Sequence, residues 1–443
     1  MSVQFRLQDF FLPMSLFRYH QLLNRAQWWN TEKIEAWQIE QLKNLLNHAK
    51  RHVPYYRDLF LKSSFEPGSF RNLDDLKNLP ILSKETVRKN PEAFLAENFQ
   101  EYHPQKNRTS GSSGQPLQFW LDRQTNALEF AYYWRYWGWF GYKLGSAFAE
   151  FSTSYFMHHK NKQDHDYAYR RAPRRLLLNS LSLYPERTAI FIDLMKKYRV
   201  RFLKGLPSVL YYFCLQIKNQ SLDVPPLTAV FSTGEVLYPH QRKLIQNTLQ
   251  GRVVDSYGQM ERVVAICECP EGRYHINTDY GLLELEPSVD NPNQFRMIGT
   301  GLHNYSMPLI RYDLGDWASS TNINQRCPCG RGFPWVERIE GRSEDVVITP
   351  SGKIISTLYL VFYEQDGIDQ GQIIQNRPDH LVIRLVNNKN LNEKRVEQLG
   401  ELIKAHVGND MTFSFDFCRS EDLFQMGSKN KVIQSQITSS FSQ

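Results

Sequence analysis

A loop of small and hydroxylated residues, TSGSSGQP, occupies residues 109–116. Such a loop exposes backbone N–H groups and hydroxyls without bulky side chains, which suits the oxygens of a polyphosphate. The Gly-Lys-Ser/Thr ending of a Walker A loop is missing, so that motif is excluded. A solvated turn has the same composition, and this loop alone therefore does not separate a phosphate site from a turn.

Two later segments carry side chains suited to a nucleotide. The first reads DSYGQME and places Tyr257 beside Gly258, a flat ring suited to stacking on a nucleobase. Glu261, three residues after Gly258, offers carboxylate oxygens of the kind that Mg²⁺ prefers. The second reads RYDLGD and ends on Asp316, whose carboxylate is suited to accept hydrogen bonds from both hydroxyls of a ribose. Taken alone, each segment is also typical of a turn or a cap.

The cysteines are grouped in a way that favours a metal site. Four of the six lie in two Cys-x-Cys pairs. Cys269 and His275 have the spacing Cys-x5-His, and together with Cys327 and Cys329 they predict a closed Cys3His site for a structural zinc ion. Cys267 is an alternative to Cys269 as ligand, and buried free thiols are the alternative to a metal.

The elements that must position these residues alternate between strands and helices. Strand-like runs at 202–205, 228–234 and 252–258 each end in small or polar residues, and helical runs separate them. This βαβ rhythm predicts a parallel sheet whose strand ends carry a site. A long aromatic helix is predicted from about Gln124 to Phe140. From 280 to 320 strands dominate, so the predicted fold class is α/β.

Composition excludes several classes of protein. The chain has 443 residues with 53 basic and 46 acidic side chains, and the excess of +7 is too diffuse for a nucleic-acid binder. No apolar run approaches the ~20 residues of a membrane span. The N-terminus lacks the pattern of a signal peptide, so we expect a cytoplasmic protein. The oligomeric state stays open, with a homodimer among the options.

The order and spacing of these segments resemble the adenylate-forming (ANL) superfamily, and within it the branch of phenylacetate–CoA ligase-like, coenzyme F390 synthetase-like and CapK-like proteins. The resemblance runs from about residue 50 to the C-terminus. It implies a large N-terminal adenylation domain, 1–340, with parallel or mixed sheets and helices. It also implies a small, mobile α+β C-terminal domain, 341–443, hinged at Glu344.

The resemblance also assigns roles to individual residues. The residues it assigns to ATP are Ser110, Ser112, Ser113, Gly114, Ser232, Gly234, Glu235, Tyr257, Gly258, Arg311 and Asp316. Glu261 is assigned to Mg²⁺, and Arg342 lies near the ribose or a phosphate. Lys429, in MGSKNKVI, contacts the carboxylate and the α-phosphate, with Lys431 as the alternative and a solvated basic tail as the other interpretation.

The implied activity is that of an AMP-forming acid–thiol ligase. ATP activates a carboxylic acid as an acyl-adenylate with release of pyrophosphate, and the acyl group passes to coenzyme A. The aromatic helix, with Tyr155 and Phe156, favours an aromatic or aryl-acetic acid, although the same rings are typical of a core.

Three other readings stay open. One is an adenylyltransferase. Another is an enzyme that loads the phosphopantetheine arm of a carrier protein. Either of these two enzymes would serve a polysaccharide or secondary-metabolite pathway. The third is a catalytically degenerate nucleotide-binding protein.

Overall fold

A computed structural model describes most of this chain. The described residues are 13–108, 117–152, 155–156, 165–288, 291–320, 325–342, 347–350, 354–355, 358–362, 367–387, 391–423, 432–435 and 437. Within these ranges, no helix combines the length and the apolar character needed to cross a membrane. The fold is a mixed α/β arrangement, which confirms the fold class predicted from the sequence.

The helices cluster at the N-terminus and between the strands of the main sheet. They are α1 (Pro13–Ala26), α2 (Thr31–His52), α3 (Pro54–Lys62), α4 (Lys84–Lys89), α5 (Arg123–Gly138), α6 (Pro185–Lys197), α7 (Pro207–Asn219), α8 (Pro239–Leu249), α9 (Glu393–Val407) and α10 (Ser420–Leu423). Proline begins α6, α7 and α8, where its missing N–H costs no hydrogen bond and its fixed φ favours the helix.

Among the described residues, strands form the central sheet and four smaller sheets. They are β1 (Gln105–Arg108), β2 (Gln118–Leu121), β3 (Phe148–Phe151), β4 (Tyr167–Arg170), β5 (Arg175–Leu178), β6 (Phe202–Gly205), β7 (Ala229–Thr233), β8 (Arg252–Gly258), β9 (Ala265–Glu268), β10 (Tyr274–Ile276), β11 (Gly281–Pro287), β12 (Gln294–Gly301), β13 (Tyr312–Ser319), β14 (Trp335–Val336), β15 (Arg338–Arg342), β16 (Val347–Ile348), β17 (Ile354–Ile355), β18 (Ile368–Arg377), β19 (His380–Asn387), β20 (Thr412–Phe417) and β21 (Ile433–Ser435).

The central sheet has the strand order β14-β10-β9-β8-β7-β6-β3-β5-β4. Neighbours from β8 to β5 run parallel, and antiparallel strands extend the sheet at both edges. The predicted strands at 202–205, 228–234 and 252–258 are β6, β7 and β8. Helices α7 and α8 connect them, which confirms the predicted βαβ pattern in this part of the chain.

Aromatic rings fill the face of the central sheet that α5 covers. Three adjacent strands, β3, β6 and β7, contribute one ring each to what we call the aromatic layer: Phe148, Phe202 and Phe231. Trp137 of α5 packs 4.6 Å from the Phe148 ring and is only 2% exposed, so this part of the predicted aromatic helix is core. Trp134 is half-buried and stacks on His20 of α1 at 3.8 Å.

Two four-stranded sheets follow in the chain, with the two-stranded β16-β17 sheet between them. An antiparallel sheet has the order β11-β12-β13-β15, and a C-terminal sheet has the order β20-β19-β18-β21 with its own hydrophobic core around α9. Strand β15 spans residue 341 and pairs with β13, so the antiparallel sheet continues to Arg342. The division into domains 1–340 and 341–443 stays a prediction, as does the mobility of the second.

Candidate active site

Predicted nucleotide residues from three separate segments meet at the carboxyl ends of parallel strands. Strands β7 and β8 are neighbours, and Ser232 lies opposite Asp255 in their register. The Tyr257 hydroxyl, near the end of β8, donates a hydrogen bond of 2.6 Å to Oδ2 of Asp316 on β13. In open α/β sheets, ligands bind in the crevice outside these strand ends.

Strand β13 also connects Glu261 and Arg342 to this region. Tyr312, at the start of β13, donates a hydrogen bond of 3.2 Å to Oε1 of Glu261, which is buried. Further along the strand, Asp316 lies opposite the backbone of Arg342 in β15. A buried carboxylate offers the oxygen ligands that Mg²⁺ takes, so Glu261 fits the magnesium role predicted for it.

The segment after β7 turns sharply at Gly234. Its φ of +88° lies in the left-handed region, which residues with a Cβ rarely adopt. The next residue, Glu235, accepts a hydrogen bond of 3.0 Å from the backbone N–H of Ser208, in the first turn of α7. A carboxylate at a helix N-terminus is favourably placed in the field of the helix dipole. The turn therefore places Gly234 just beyond the end of β7, while Glu235 contacts the first turn of α7 and the Ser232 side chain stays buried.

A buried carboxylate that the sequence left without a role lies under this turn. Asp255 accepts hydrogen bonds from the hydroxyls of Ser232 and Tyr274. Its backbone N–H donates to Glu268, which is held in turn by Arg242 at 2.7 Å. Burial raises the pKa of Asp255 to about 7, although the Ser232 hydrogen bond opposes that rise. In the sequence, only its position as the acidic residue at the start of DSYGQME pointed to Asp255.

Arg311, predicted to bind ATP, has its guanidinium engaged elsewhere in this structure. Its Nε donates to both carboxylate oxygens of Glu284, at 3.1 and 2.7 Å, and its terminal nitrogen donates to the carbonyl of Leu79. These contacts fasten the segment before α4 onto the antiparallel sheet. The ATP role of Arg311 stays a prediction that these contacts do not favour.

The predicted metal ligands come together in one cluster. The ligand atoms of Cys269, His275, Cys327 and Cys329 all lie within 4.8 Å of one another. Cys269 follows β9, His275 lies in β10, and the Cys-Pro-Cys-Gly turn brings the other two thiols alongside. Cys267 is outside the cluster, because its sulfur accepts a hydrogen bond of 3.2 Å from the Asn277 amide. The structure therefore favours Cys269 over Cys267 as the ligand.

Hydrogen bonds around the cluster orient its donors. Nδ1 of His275 lies 3.0 Å from the Phe333 carbonyl, so it carries the proton and donates there. Nε2 is then left to face Cys329 at 3.2 Å. Its contact with Cys269 lowers the pKa of the Cys329 thiol well below the ordinary range. Three cysteine sulfurs and one histidine nitrogen in this geometry fit a tetrahedral zinc ion, with the Phe333 carbonyl as outer partner of the histidine.

Comparison with known proteins finds relatives over most of this chain. Residues 347–437 match the family model described as the CapK C-terminal domain. The chain is 22% identical to Protein CapK of Staphylococcus aureus over 388 residues, covering 86% of this chain and 84% of the relative. It is 24% identical to phenylacetate-coenzyme A ligase of Thermus thermophilus over 343 residues, covering 72% of each. The chain is therefore similar to CapK and to phenylacetate-coenzyme A ligase, which confirms the resemblance indicated by its motifs.

A fold similar to that of a solved acyl-CoA ligase extends over nearly the whole chain. The crystal structure of 2-hydroxyisobutyryl-CoA ligase in its postadenylation state superposes with a TM-score of 0.72 at 17% identity, covering 93% of this chain and 92% of that one. The same ligase in its thioesterification state gives a TM-score of 0.58. The chain therefore superposes better on the postadenylation arrangement.

Several residues that the superfamily resemblance implicates lie outside the described part of the chain. These are Ser110, Ser112, Ser113 and Gly114 of the phosphate loop, Glu344 of the hinge, and Lys429 with its alternative Lys431. Gly258, which is described, ends β8 and pairs with Ala265 of β9. The assignments of all these residues stay predictions.

Proposed function

We propose that this chain is an AMP-forming acid–thiol ligase. ATP activates a carboxylic acid as its acyl-adenylate, and the acyl group is then transferred to coenzyme A. One observation carries the proposal: the hydrogen bond between Tyr257 and Asp316 joins two nucleotide-type segments at the carboxyl ends of the parallel strands. That is where a mononucleotide is bound in sheets of this kind.

In the first half-reaction, the carboxylate oxygen attacks the α-phosphorus of ATP and pyrophosphate leaves. Tyr257 stacks on the adenine, and Asp316 accepts hydrogen bonds from the ribose hydroxyls. Glu261 supplies an oxygen ligand to Mg²⁺, which neutralises phosphate charge when bound. Lys429 and Arg342 stabilise the negative charge that develops on the α-phosphate, and their contribution is electrostatic. The hydroxyls and N–H groups of residues 109–116 hold the other phosphates.

In the second half-reaction, the thiolate of coenzyme A attacks the acyl carbonyl and AMP leaves. We propose that the C-terminal domain rotates about Glu344 between the two steps, as hinged domains do when one protein assembles two sites. The structure superposes better on the postadenylation state than on the thioesterification state of the same ligase, and the second arrangement is part of the proposal.

Helix α5 does not support the prediction that the acid is aromatic or aryl-acetic. Its Trp137 packs into the core beneath the sheet face, as described above. The Cys3His cluster is closed by four protein ligands and lies among buried side chains, which supports a structural zinc ion with no catalytic position.

Acid-dependent exchange of labelled pyrophosphate into ATP tests the proposal. With the full-length chain and Mg²⁺, exchange should require a carboxylic acid, and adding coenzyme A should convert that acid to its thioester with one AMP released per turnover. ATP binding without exchange for any acid would instead favour the degenerate nucleotide-binding reading.

Product analysis separates the remaining readings. If the wild-type enzyme forms the acyl-adenylate but does not transfer the acyl group to coenzyme A, the result would favour the carrier-protein loader or the adenylyltransferase. Transfer of the acyl group to a phosphopantetheinylated carrier protein identifies the loader. Transfer of AMP to an acceptor identifies the adenylyltransferase.

A further inference from the structure

A layer of polar side chains lies directly beyond the aromatic layer, on the same face of the central sheet. Side chains two residues apart on a strand point to the same face. Two positions after Phe148 and Phe202, β3 and β6 therefore carry Glu150 and Lys204, which are partners in the register, and Lys204 lies beside Phe231 of β7. Thr233 follows Phe231 by two residues on β7, and we call Glu150, Lys204 and Thr233 the polar layer. On β3 and β6 the face thus changes from rings to charges, and on β7 from a ring to a hydroxyl, as each strand approaches its carboxyl end.

Members of the polar layer contact one another and α5. Nζ of Lys204 lies 3.3 Å from Oε1 of Glu150, and it lies 5.1 Å from the centre of the Tyr133 ring. Tyr133 also lies close to Thr233, whose side chain opposes the rise that burial causes in the pKa of the Tyr133 hydroxyl. The side chains of Lys204 and Glu150 are only 4% and 9% exposed, so this ion pair is buried.

Helix α5 adds polar groups on the side that faces this layer. Glu129 lies one helical turn before Tyr133, is buried, and accepts a hydrogen bond from the hydroxyl of Tyr280. Asn126, almost one turn earlier, accepts a hydrogen bond from Arg262. The polar surface of α5 therefore extends along the helix over about two turns, although most of the helix is aromatic and packed into the core.

Folding alone does not account for the buried charges. A buried ion pair is often no more stabilising than apolar side chains of similar volume, because both ions lose their hydration. The aromatic layer next to it shows that this face accommodates apolar side chains. The position is informative, because Thr233 lies between Ser232 and Gly234 of the segment predicted to flank adenine. A polar layer beside the nucleotide is suited to contact the second substrate.

We propose that the polar layer selects the acid, so that the preferred substrate carries a hydroxyl or amino group in addition to its carboxylate. This inference rests on the proposed ligase function. Lys204 donates a hydrogen bond to a substrate hydroxyl, and Glu150 accepts one from a hydroxyl or an amine. An acid without that group leaves two buried charges facing a hydrocarbon. The inference applies equally to acids with aromatic and aliphatic skeletons.

Matched pairs of acids test this selectivity. Acid-dependent pyrophosphate exchange is measured with phenylacetate against 4-hydroxyphenylacetate and 4-aminophenylacetate, and with propionate against lactate and alanine. A site built to hydrogen-bond a substrate group discriminates strongly against the analogue that lacks it. We therefore expect kcat/KM to favour a substituted acid over its unsubstituted partner by at least about 100-fold.

A double variant identifies the residues responsible. Lys204→Met together with Glu150→Leu removes both charges of this pair at once. Arg175, which lies 3.9 Å from Glu150, loses that partner but keeps its contact with the Phe148 ring. The preference should fall at least about 10-fold, while the KM for ATP stays unchanged. The matched control is Lys196→Met with Asp223→Leu, which removes an ion pair of 3.1 Å at the surface and should keep the wild-type preference.

The outcomes separate the inference from the proposed function. Equal or better use of the unsubstituted acid in every matched pair would overturn the inference, as would a Lys204/Glu150 variant that binds ATP normally and keeps the wild-type preference. Exchange with no acid in either series, despite ATP binding, would contradict the ligase function itself and the inference with it. Thermal unfolding and ATP calorimetry of the double variant show whether it is folded.

Discussion

The hydroxyl of Tyr257 donates a 2.6 Å hydrogen bond to Oδ2 of Asp316, joining the end of β8 to β13 of the antiparallel sheet. The two residues are far apart in sequence and are predicted to contact different parts of ATP, the adenine and the ribose. Their hydrogen bond fixes the positions of both side chains in the predicted nucleotide site, because each side chain limits the rotation of the other. Charge-assisted hydrogen bonds of this type are short and comparatively strong.

Asp316→Ala should weaken ATP binding. Loss of a carboxylate that accepts hydrogen bonds from a ligand costs about 1.5–3 kcal/mol, so the KM for ATP should rise on the order of 10- to 100-fold. Tyr257→Phe keeps the ring and should raise the KM only a few-fold. Tyr55→Phe, on α3, is the control. An unchanged ATP KM in Asp316→Ala would refute the ribose role.

Asp255 should make stability depend on pH. Burial raises its pKa from 3.8 to about 7 in the folded chain, so the folded state holds a proton that the unfolded state releases between these values. The stabilisation is complete below about pH 4 and is lost as the pH rises towards 7, by an amount on the order of 4 kcal/mol.

Asp255→Asn mimics the protonated form and should lack this dependence. Urea unfolding midpoints from pH 4 to 8 should therefore show the wild type losing stability relative to the variant as the pH rises. Asp223→Asn, a change at an exposed position, should follow the wild-type curve. A constant difference between wild type and Asp255→Asn over the whole range would mean that the buried carboxyl is ionised throughout.

Purified wild-type protein should contain zinc held by the Cys3His cluster. Cys329→Ser should release it and lower the thermal midpoint, because four protein ligands bound to one ion contribute directly to folding. Metal analysis and thermal unfolding measure both effects. Cys418→Ser, outside the cluster, should retain zinc. Zinc lost in Cys267→Ser but kept in Cys269→Ser would reverse the ligand assignment.

Lys429→Ala should separate the two half-reactions. Adenylate formation should fall by several orders of magnitude, because charge on the α-phosphate is no longer neutralised. Thioester formation from a supplied acyl-adenylate should be largely intact. Lys431→Ala serves as the comparison, and the opposite pattern would identify Lys431 as the catalytic lysine. Equal loss of both half-reactions in Lys429→Ala would count against the rotating domain.

Some features follow from the sequence itself. Strands β6, β7 and β8 were predictable because alternating helical and strand-like periods leave few other arrangements than a parallel sheet. The order of the nucleotide-type segments indicated the superfamily. The spacing of these segments does not predict which residue each side chain contacts, however. The guanidinium of Arg311, for example, is bound to Glu284, which lies 27 residues earlier in the chain.

Long-range contacts decided the rest. Cys267 and Cys269 differ by two positions, but only the second lies in the turn beside Cys327, while the first has its sulfur against Asn277. In the sequence, Asp255 and Lys204 are simply residues of predicted strands. The structure shows that both are buried beside polar groups of neighbouring strands, and that burial is the reason for the roles proposed for them. The sequence by itself determined which chemical groups are present and in which order. Tertiary structure decided which of them lose water and meet, because burial and pairing arise only when distant strands come together.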